Sequence, residues 1–293
     1  MTDILTIADL GAEALHNILA LSERTDLGRP LEGQGVALLF EKPSARTRNS
    51  AEMAVVQLGG HPLYIQGHEV GLGERESAED VARTLACYHS LIAARVKRHS
   101  TLEAMTASVG TPVLNLLSDS DHPLQALADL LTVKQLVGQL EGARLAYVGD
   151  ADNNVCRSLA QGCALVGATL NIASPKTYQL PAAELAGLDG VRQLADPAEA
   201  VEGAQIVYTD VWVSMGQDGE KAERHGALAP YQVNAALLAH APQAWFLHCL
   251  PARRGEEVSA DVIDGPRSAV WRQAENRMHS ARGAMAWMLG IRP

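Results

Sequence analysis

Five side chains in the stretch Glu41–Ser50, EKPSARTRNS, suit an oxyanion: Lys42, Ser44, Arg46, Thr47 and Arg48. A guanidinium pairs with phosphate or carboxylate oxygens through two parallel hydrogen bonds, and hydroxyls add neutral donors. The plainer use of the same residues is a capped helix start with solvated cations. A second pair, His122 and Gln125, sits three residues apart in DHPLQALADLLT. At that spacing two side chains share one side of a helix. An imidazole can polarise a carbonyl, and a primary amide offers an acceptor to a neighbouring N–H. Asp121 just before them also reads as a helix N-cap, a role compatible with the first. Arg95 closes the apolar run LIAAR, Asp210 follows QIVYT, and Cys249 follows WFLH. A carboxylate at Asp210 can hold an ammonium group. Cys249 is either a buried structural thiol or a group that orients an amine, and no His–Cys pairing marks it as a covalent nucleophile.

These residues need elements that hold them. The run Val36–Phe40 reads as a buried strand of a parallel sheet. Beyond it Ala51, Ala54, Val55 and Leu58 fall at i, i+3, i+4 and i+7, one face of a helix. Ser44 to Thr47 therefore occupy a strand-to-helix turn, where unpaired N–H groups and the helix dipole favour an anion, and Pro43 fixes the approach. Further strands are predicted at 61–65, 91–96, 112–117, 143–149, 168–173, 191–194, 205–211 and 244–249. Helices are predicted at 8–21, 46–58, 77–89, 100–109, 122–138, 154–166, 181–187, 197–203, 231–239 and 268–289. Such alternation implies an α/β protein whose parallel sheets are covered by helices. The helix 122–138 bridges two such sheets, and Gly138 and Gly142 punctuate the crossing. The last helix shows an apolar stripe of Trp271, Ala274, Met278, Ala281, Met285 and Met288. Two polar, glycine-punctuated stretches, IQGHEVGLGERES (65–77) and GQDGEKAERHG (216–226), read as loops, the second with the alternative of a lid over a substrate. Ser77 with Asp80 marks the helix start after the first. The stretch YVGDADNN, 147–154, joins a strand to a helix but lacks GxGxxG, so a nicotinamide cofactor is not expected.

In sequence, FEKPSARTR resembles the carbamoyl-phosphate signature of the aspartate/ornithine carbamoyltransferase family, FxxxSTRTR. Ala45 stands where the family often has Thr, a change that backbone amides tolerate. HPLQ with ALADLLT, GDADNN, DVWVSMG, HCLP and QAENRMH resemble further family motifs in family order, spanning residues 36–279. DxxxSMG and HCLP are similar to the ornithine branch. The resemblance implies two domains joined by interdomain helices, with the active site in the cleft. Residues 1–130 would bind carbamoyl phosphate, 131–274 the amino acid, and the helix 275–293 would pack back on the first domain. It implies carbamoyl-phosphate contacts from Ser44, Ala45, Arg46, Thr47, Arg95, His122, Gln125 and Arg277. Asn154, Asp210, Ser214, Met215, Cys249 and Leu250 would contact L-ornithine, with Arg95, His122, Asp210, Cys249 and Arg277 nearest the chemistry. The products would be L-citrulline and phosphate, as in arginine biosynthesis. A different amine, such as putrescine or a modified ornithine, and an inactive binding subunit remain alternatives. The family's cross-subunit Gln corresponds to Gly71, with His68 or Arg75 as possible substitutes. A homotrimer or an assembly of trimers is implied, and no metal or organic cofactor.

Bulk properties agree with that picture. The 293 residues suffice for two domains, with 47% hydrophobic and 20% charged residues. A net charge of −10 argues against general nucleic-acid binding, so local cations must attract any anionic substrate. No run approaches the roughly 18 apolar residues of a membrane span. MTDILTIADL has no basic leader region, and Cys87, Cys156, Cys163 and Cys249 show no metal-ligand spacing. The expectation is a reduced, cytoplasmic protein.

Overall fold

Most of the apolar runs become parallel strands, because a strand buried on both faces needs no polar side. In the computed structural model, which describes residues 2–213 and 218–293, β1 is Gly35–Phe40, β2 His61–Gln66, β3 His89–Arg95 and β4 Val113–Leu117. They form one parallel sheet in the order β2-β1-β3-β4. A second parallel sheet contains β5 Arg144–Val148, β6 Thr169–Ala173, β7 Val191–Leu194, β8 Ile206–Thr209 and β9 Trp245–His248, in the order β7-β6-β5-β8-β9. The chain divides into two compact units. One is Met1–Leu131 with Glu275–Pro293, and the other is Thr132–Ala274.

In the first unit, Ala37, Leu39, Ile92, Ala94 and Val113 of the sheet pack with Val81, Leu85, Leu102 and Met105 of the helices Ala78–Ala86 and His99–Ser108. The strand order reverses at β1 and β3, so the connections leave these strands toward opposite faces. Their C-terminal ends open a crevice of the kind that binds ligands in α/β sheets. Phe40 is in register with Arg95, and the N–H of Glu41 donates to the Arg95 carbonyl at 2.9 Å. The turn after β1 and the guanidinium at the end of β3 are thereby fixed side by side.

The helix Val270–Met288 brings the chain back into this unit. A Cβ on Gly283 would lie 2.2 Å from Ser22 Oγ and 2.7 Å from the Ile18 carbonyl, so glycine permits the close crossing with the helix Gly11–Glu23. Arg282 secures the same contact by donating to the carbonyls of Ser22 (3.0 Å) and Arg24 (2.6 Å). The apolar stripe holds only in the second half of the helix. Ala281, Met285 and Met288 are buried, whereas Trp271 is 67% exposed. After Val270, the buried residues up to Ser280 are polar: Gln273, Asn276, Arg277 and Ser280. Polar groups replace the stripe there because their hydrogen bonds have partners waiting.

In the second unit, Ala146, Val148, Val207 and Phe246 pack with Ala200, Val201, Val262 and Ile263. The order reverses at β5 and β8, which places the turn after β5 and Asp210 after β8 at the corresponding crevice. Thr209 is in register with His248, so Asp210 and Cys249 leave adjacent strands at the same level. The polar stretch 216–226, read above as a loop, contains the start of a helix, Lys221–Leu228. Predicted helix 231–239 shortens to Ala235–Leu238, started by Asn234, whose side chain accepts from Leu237 N.

Candidate active site

Ser44 is the N-cap of the helix Ala45–Gln57. Its extended backbone lets Oγ accept from Thr47 N and donate to Thr47 Oγ1 at 3.1 Å. The capped helix and the anion site are therefore the same structure, and the two readings of the turn merge. Ala45 and Arg46 are exposed at the helix start, while Thr47 is buried. Arg48 has another use: it pairs with Glu52 at 2.8 Å and stacks on Tyr64 at 3.8 Å.

Around Thr47 the first unit gathers Arg46, Arg95, His122, Gln125 and Arg277. Arg277 is buried and forked. One Nη donates to Gln125 Oε1 and the other to Thr47 Oγ1, the latter at 3.1 Å. Gln125 Nε2 donates to Asp129 Oδ1 at 2.7 Å. Asp129 was not singled out in the sequence, although ALADLLT contains it. His122 immediately precedes the helix Pro123–Val137, and its carbonyl accepts from Gln125 N and Ala126 N. The Asp121 side chain, one residue earlier, accepts from Ser120 Oγ.

Electrostatics mark this cluster as short of negative charge. Burial, then Arg277 and Arg46, push the Arg95 guanidinium down to about 10. Arg95 Nε is also buried without a hydrogen-bond partner. Burial, then Arg277, Arg95 and Arg46, hold His122 well below the usual histidine range, so its imidazole is neutral at pH 7. A dianion between these groups would relieve their mutual repulsion and supply acceptors for their donors. Gly71 lies in the left-handed region at φ +65°, ending the short helix Gly67–Val70. Arg75, four residues on, donates to the Glu69 carbonyl at 3.0 Å.

The second unit supplies a different chemistry. Asp210 Oδ1 accepts from Val211 N at 2.8 Å and from Cys249 Sγ at 3.0 Å. His248 and Glu257 are buried beside them. His248 Nδ1 accepts from Leu250 N at 2.8 Å, so Nε2 carries the proton toward Glu257 Oε1 at 3.2 Å. This fixes the Cys249–Leu250 turn. Asp210, His248 and Cys249 each bring a potential metal-ligand atom within 4.8 Å of the others. Both His248 nitrogens are engaged, however, which leaves only a carboxylate and a thiol, short of a closed four-ligand site.

Asn153 caps the helix Asn154–Leu165, accepting from Val155 N and Cys156 N at 2.9 Å. Asn154 is the first residue of that helix and is partly exposed. Arg224 and Asp150 were missed in the sequence. Arg224 Nη1 donates to Asp150 Oδ2 at 2.6 Å and to the Trp212 carbonyl at 3.2 Å, and its Nε pairs with Glu220 at 2.9 Å. The pair ties the turn after β5 to the segment after β8. Ser214 and Met215 lie outside the described residues.

Both halves of the chain match described families. Residues 2–135 match the family described as "Aspartate/ornithine carbamoyltransferase, carbamoyl-P binding domain". Residues 141–288 match "Aspartate/ornithine carbamoyltransferase, Asp/Orn binding domain". An ornithine carbamoyltransferase of Thermus thermophilus is 46% identical over 98% of this chain and 96% of its own length. Another, of Hyperthermus butylicus, is 45% identical over 98% and 97%. The solved ornithine carbamoyltransferase of Pyrococcus furiosus superposes with a TM-score of 0.94 at 41% identity, over 99% of this chain and 98% of that one.

Proposed function

We propose that this chain, which belongs to the aspartate/ornithine carbamoyltransferase family, transfers the carbamoyl group of carbamoyl phosphate to the δ-amine of L-ornithine, giving L-citrulline and phosphate. The observation that carries the reading is the gathering of Arg46, Arg95 and Arg277 about a neutral His122 and the capped turn Ser44–Thr47.

In this reading the phosphate binds at the turn amides of Ser44, Ala45, Arg46 and Thr47 and to the three guanidiniums. Gln125 accepts from the carbamoyl NH₂. Thr47, Arg95 and His122 donate to the carbamoyl oxygen, where charge develops in the transition state. Asp210 holds an ammonium of ornithine, Cys249 orients the amine with it, and Asn154, Ser214, Met215 and Leu250 complete the amino-acid site. The neutral δ-amine attacks the carbonyl carbon to form a tetrahedral intermediate. Collapse breaks the C–O bond to phosphate, which leaves and accepts the amine proton. An amine of this type has an ordinary pKa of about 10.4, so only a small fraction is neutral at pH 7.

A homotrimer, or an assembly of trimers, belongs to the same reading. Support comes from Leu63 on the edge strand β2 and from Met53 and Val56 on the helix Ala45–Gln57, all exposed large apolar residues. Light scattering should give three chain masses or a multiple. A cytoplasmic setting is supported by four cysteines that form no disulfide among the described residues, where also no helix is long and apolar enough to cross a membrane.

The test of function is a panel of amines supplied with carbamoyl phosphate: L-ornithine, putrescine, acetylornithine and aspartate. Turnover with ornithine well above the others is expected. Turnover with another amine, or with none despite carbamoyl-phosphate binding, would overturn the proposal.

A further inference from the structure

A chain of directed hydrogen bonds runs beneath the cationic cluster. Asp129, fully buried, accepts from Gln125 Nε2; Gln125 Oε1 accepts from Arg277; Arg277 donates in turn to Thr47 Oγ1. The direction is set by chemistry. A carboxylate only accepts and a guanidinium only donates, so the amide between them has one orientation. Reversal would set the amide NH₂ against Arg277 and its oxygen against the carboxylate. Thr47 Oγ1 already accepts from Arg277 and from Ser44 Oγ. Its own proton is therefore directed elsewhere.

We propose that Asp129 is a positioning residue that makes the site select carbamoyl phosphate over acyl phosphates lacking an N–H. It anchors the Gln125 amide so that its oxygen lies on the Arg277–Thr47 side. The inference rests on the carbamoyl-phosphate reading above. A carbonyl oxygen has two lone pairs, and Arg277 uses one. The second accepts from the carbamoyl NH₂. Acetyl phosphate has a methyl group at that place and leaves the lone pair unmatched. A buried acceptor left without its donor is disfavoured, and rejection of the analogue follows from that loss.

The test is calorimetric titration of the full chain with carbamoyl phosphate, acetyl phosphate and inorganic phosphate. Wild type should prefer carbamoyl over acetyl phosphate by about tenfold or more, the effect of roughly one buried hydrogen bond. Asp129→Leu removes the acceptor at similar volume and should reduce that preference to below about threefold, with phosphate affinity changed by less than about twofold. Asp129→Asn keeps an oxygen that accepts from Gln125 and should restore most of the preference. A general structural role for Asp129 would not separate the two acyl phosphates in this way. Gln125→Met, which deletes both amide atoms, should abolish the preference independently and serves if Asp129→Leu fails to fold. An Asp129→Leu protein that keeps the full preference, or loses all three ligands equally, overturns the proposal, as does a Gln125→Met protein that keeps it. Wild type that binds phosphate but no carbamoyl phosphate would instead overturn the reading on which it rests.

Discussion

Arg277 is the residue whose replacement most directly perturbs the proposed anion site. Its guanidinium reaches two buried partners at once, Gln125 Oε1 and Thr47 Oγ1. A lysine ammonium keeps the charge but lacks the planar fork, so Arg277→Lys retains at most one of these bonds in the same geometry. A hydrogen bond to a charged group contributes about 1.5–3 kcal/mol. Losing one should lower kcat/KM for carbamoyl phosphate by about 10- to 150-fold. Arg277→Met loses both bonds and the cation, and a fall of about three orders of magnitude or more is expected. KM for ornithine, measured where carbamoyl phosphate still saturates, should change by less than about twofold. Steady-state kinetics with each substrate varied in turn gives both numbers, and circular dichroism checks folding. A folded Arg277→Met protein within about threefold of wild type in kcat/KM would refute the idea that this fork organises the site.

His122 should stay neutral through the ordinary histidine titration range in the free protein, because burial and three arginines disfavour its cation. Phosphate bound among those arginines should raise its pKa, and histidine NMR with and without phosphate reads both effects. Arg224→Leu should be destabilising, by about 3 kcal/mol or more at pH 8, since it leaves the Asp150 carboxylate buried and unpaired. Burial pushes Asp150 up to about 7 while Arg224 pulls it down. Below pH 7 the carboxyl therefore takes a proton in both proteins and the difference shrinks; above it the difference grows. Urea unfolding at pH 6 and pH 8 should show that order, and an equal loss at both values would contradict it. Gly283→Ala should lose about 1–3 kcal/mol through overpacking against Ser22 and Ile18, with carbamoyl-phosphate affinity falling as well, because Arg277 rides on the same helix.

The parallel sheets were legible because runs such as VALLF and LIAAR have no polar face, and βα alternation leaves few other architectures. The turn Ser44–Thr47 was legible because its residue types, a helix start and a strand end coincide. Other features depend on partners distant in sequence. The helix Lys221–Leu228 was hidden in a polar, glycine-punctuated stretch, and its Arg224 is buried only because Asp150 lies 74 residues away. Arg48 looks like Arg46 in sequence, yet Glu52 and Tyr64 draw it off. Asp129 gives no periodic signal, since its burial and its bond to Gln125 follow from packing. The first half of the last helix misled for the opposite reason: Gln273, Asn276 and Arg277 look solvent-facing but are buried by hydrogen bonding, while Trp271 is exposed.

The most direct test of the central claim follows the transferred atom. Carbamoyl phosphate labelled with ¹³C at its carbonyl carbon is mixed with L-ornithine and the purified protein, and ¹³C NMR tracks the label. The account predicts that the label moves into the ureido carbon of citrulline, at a rate that rises with pH as the δ-amine loses its proton and falls sharply in Arg277→Met. Label that remains in carbamoyl phosphate, or passes only to its spontaneous breakdown products at the same rate with and without protein, would contradict it.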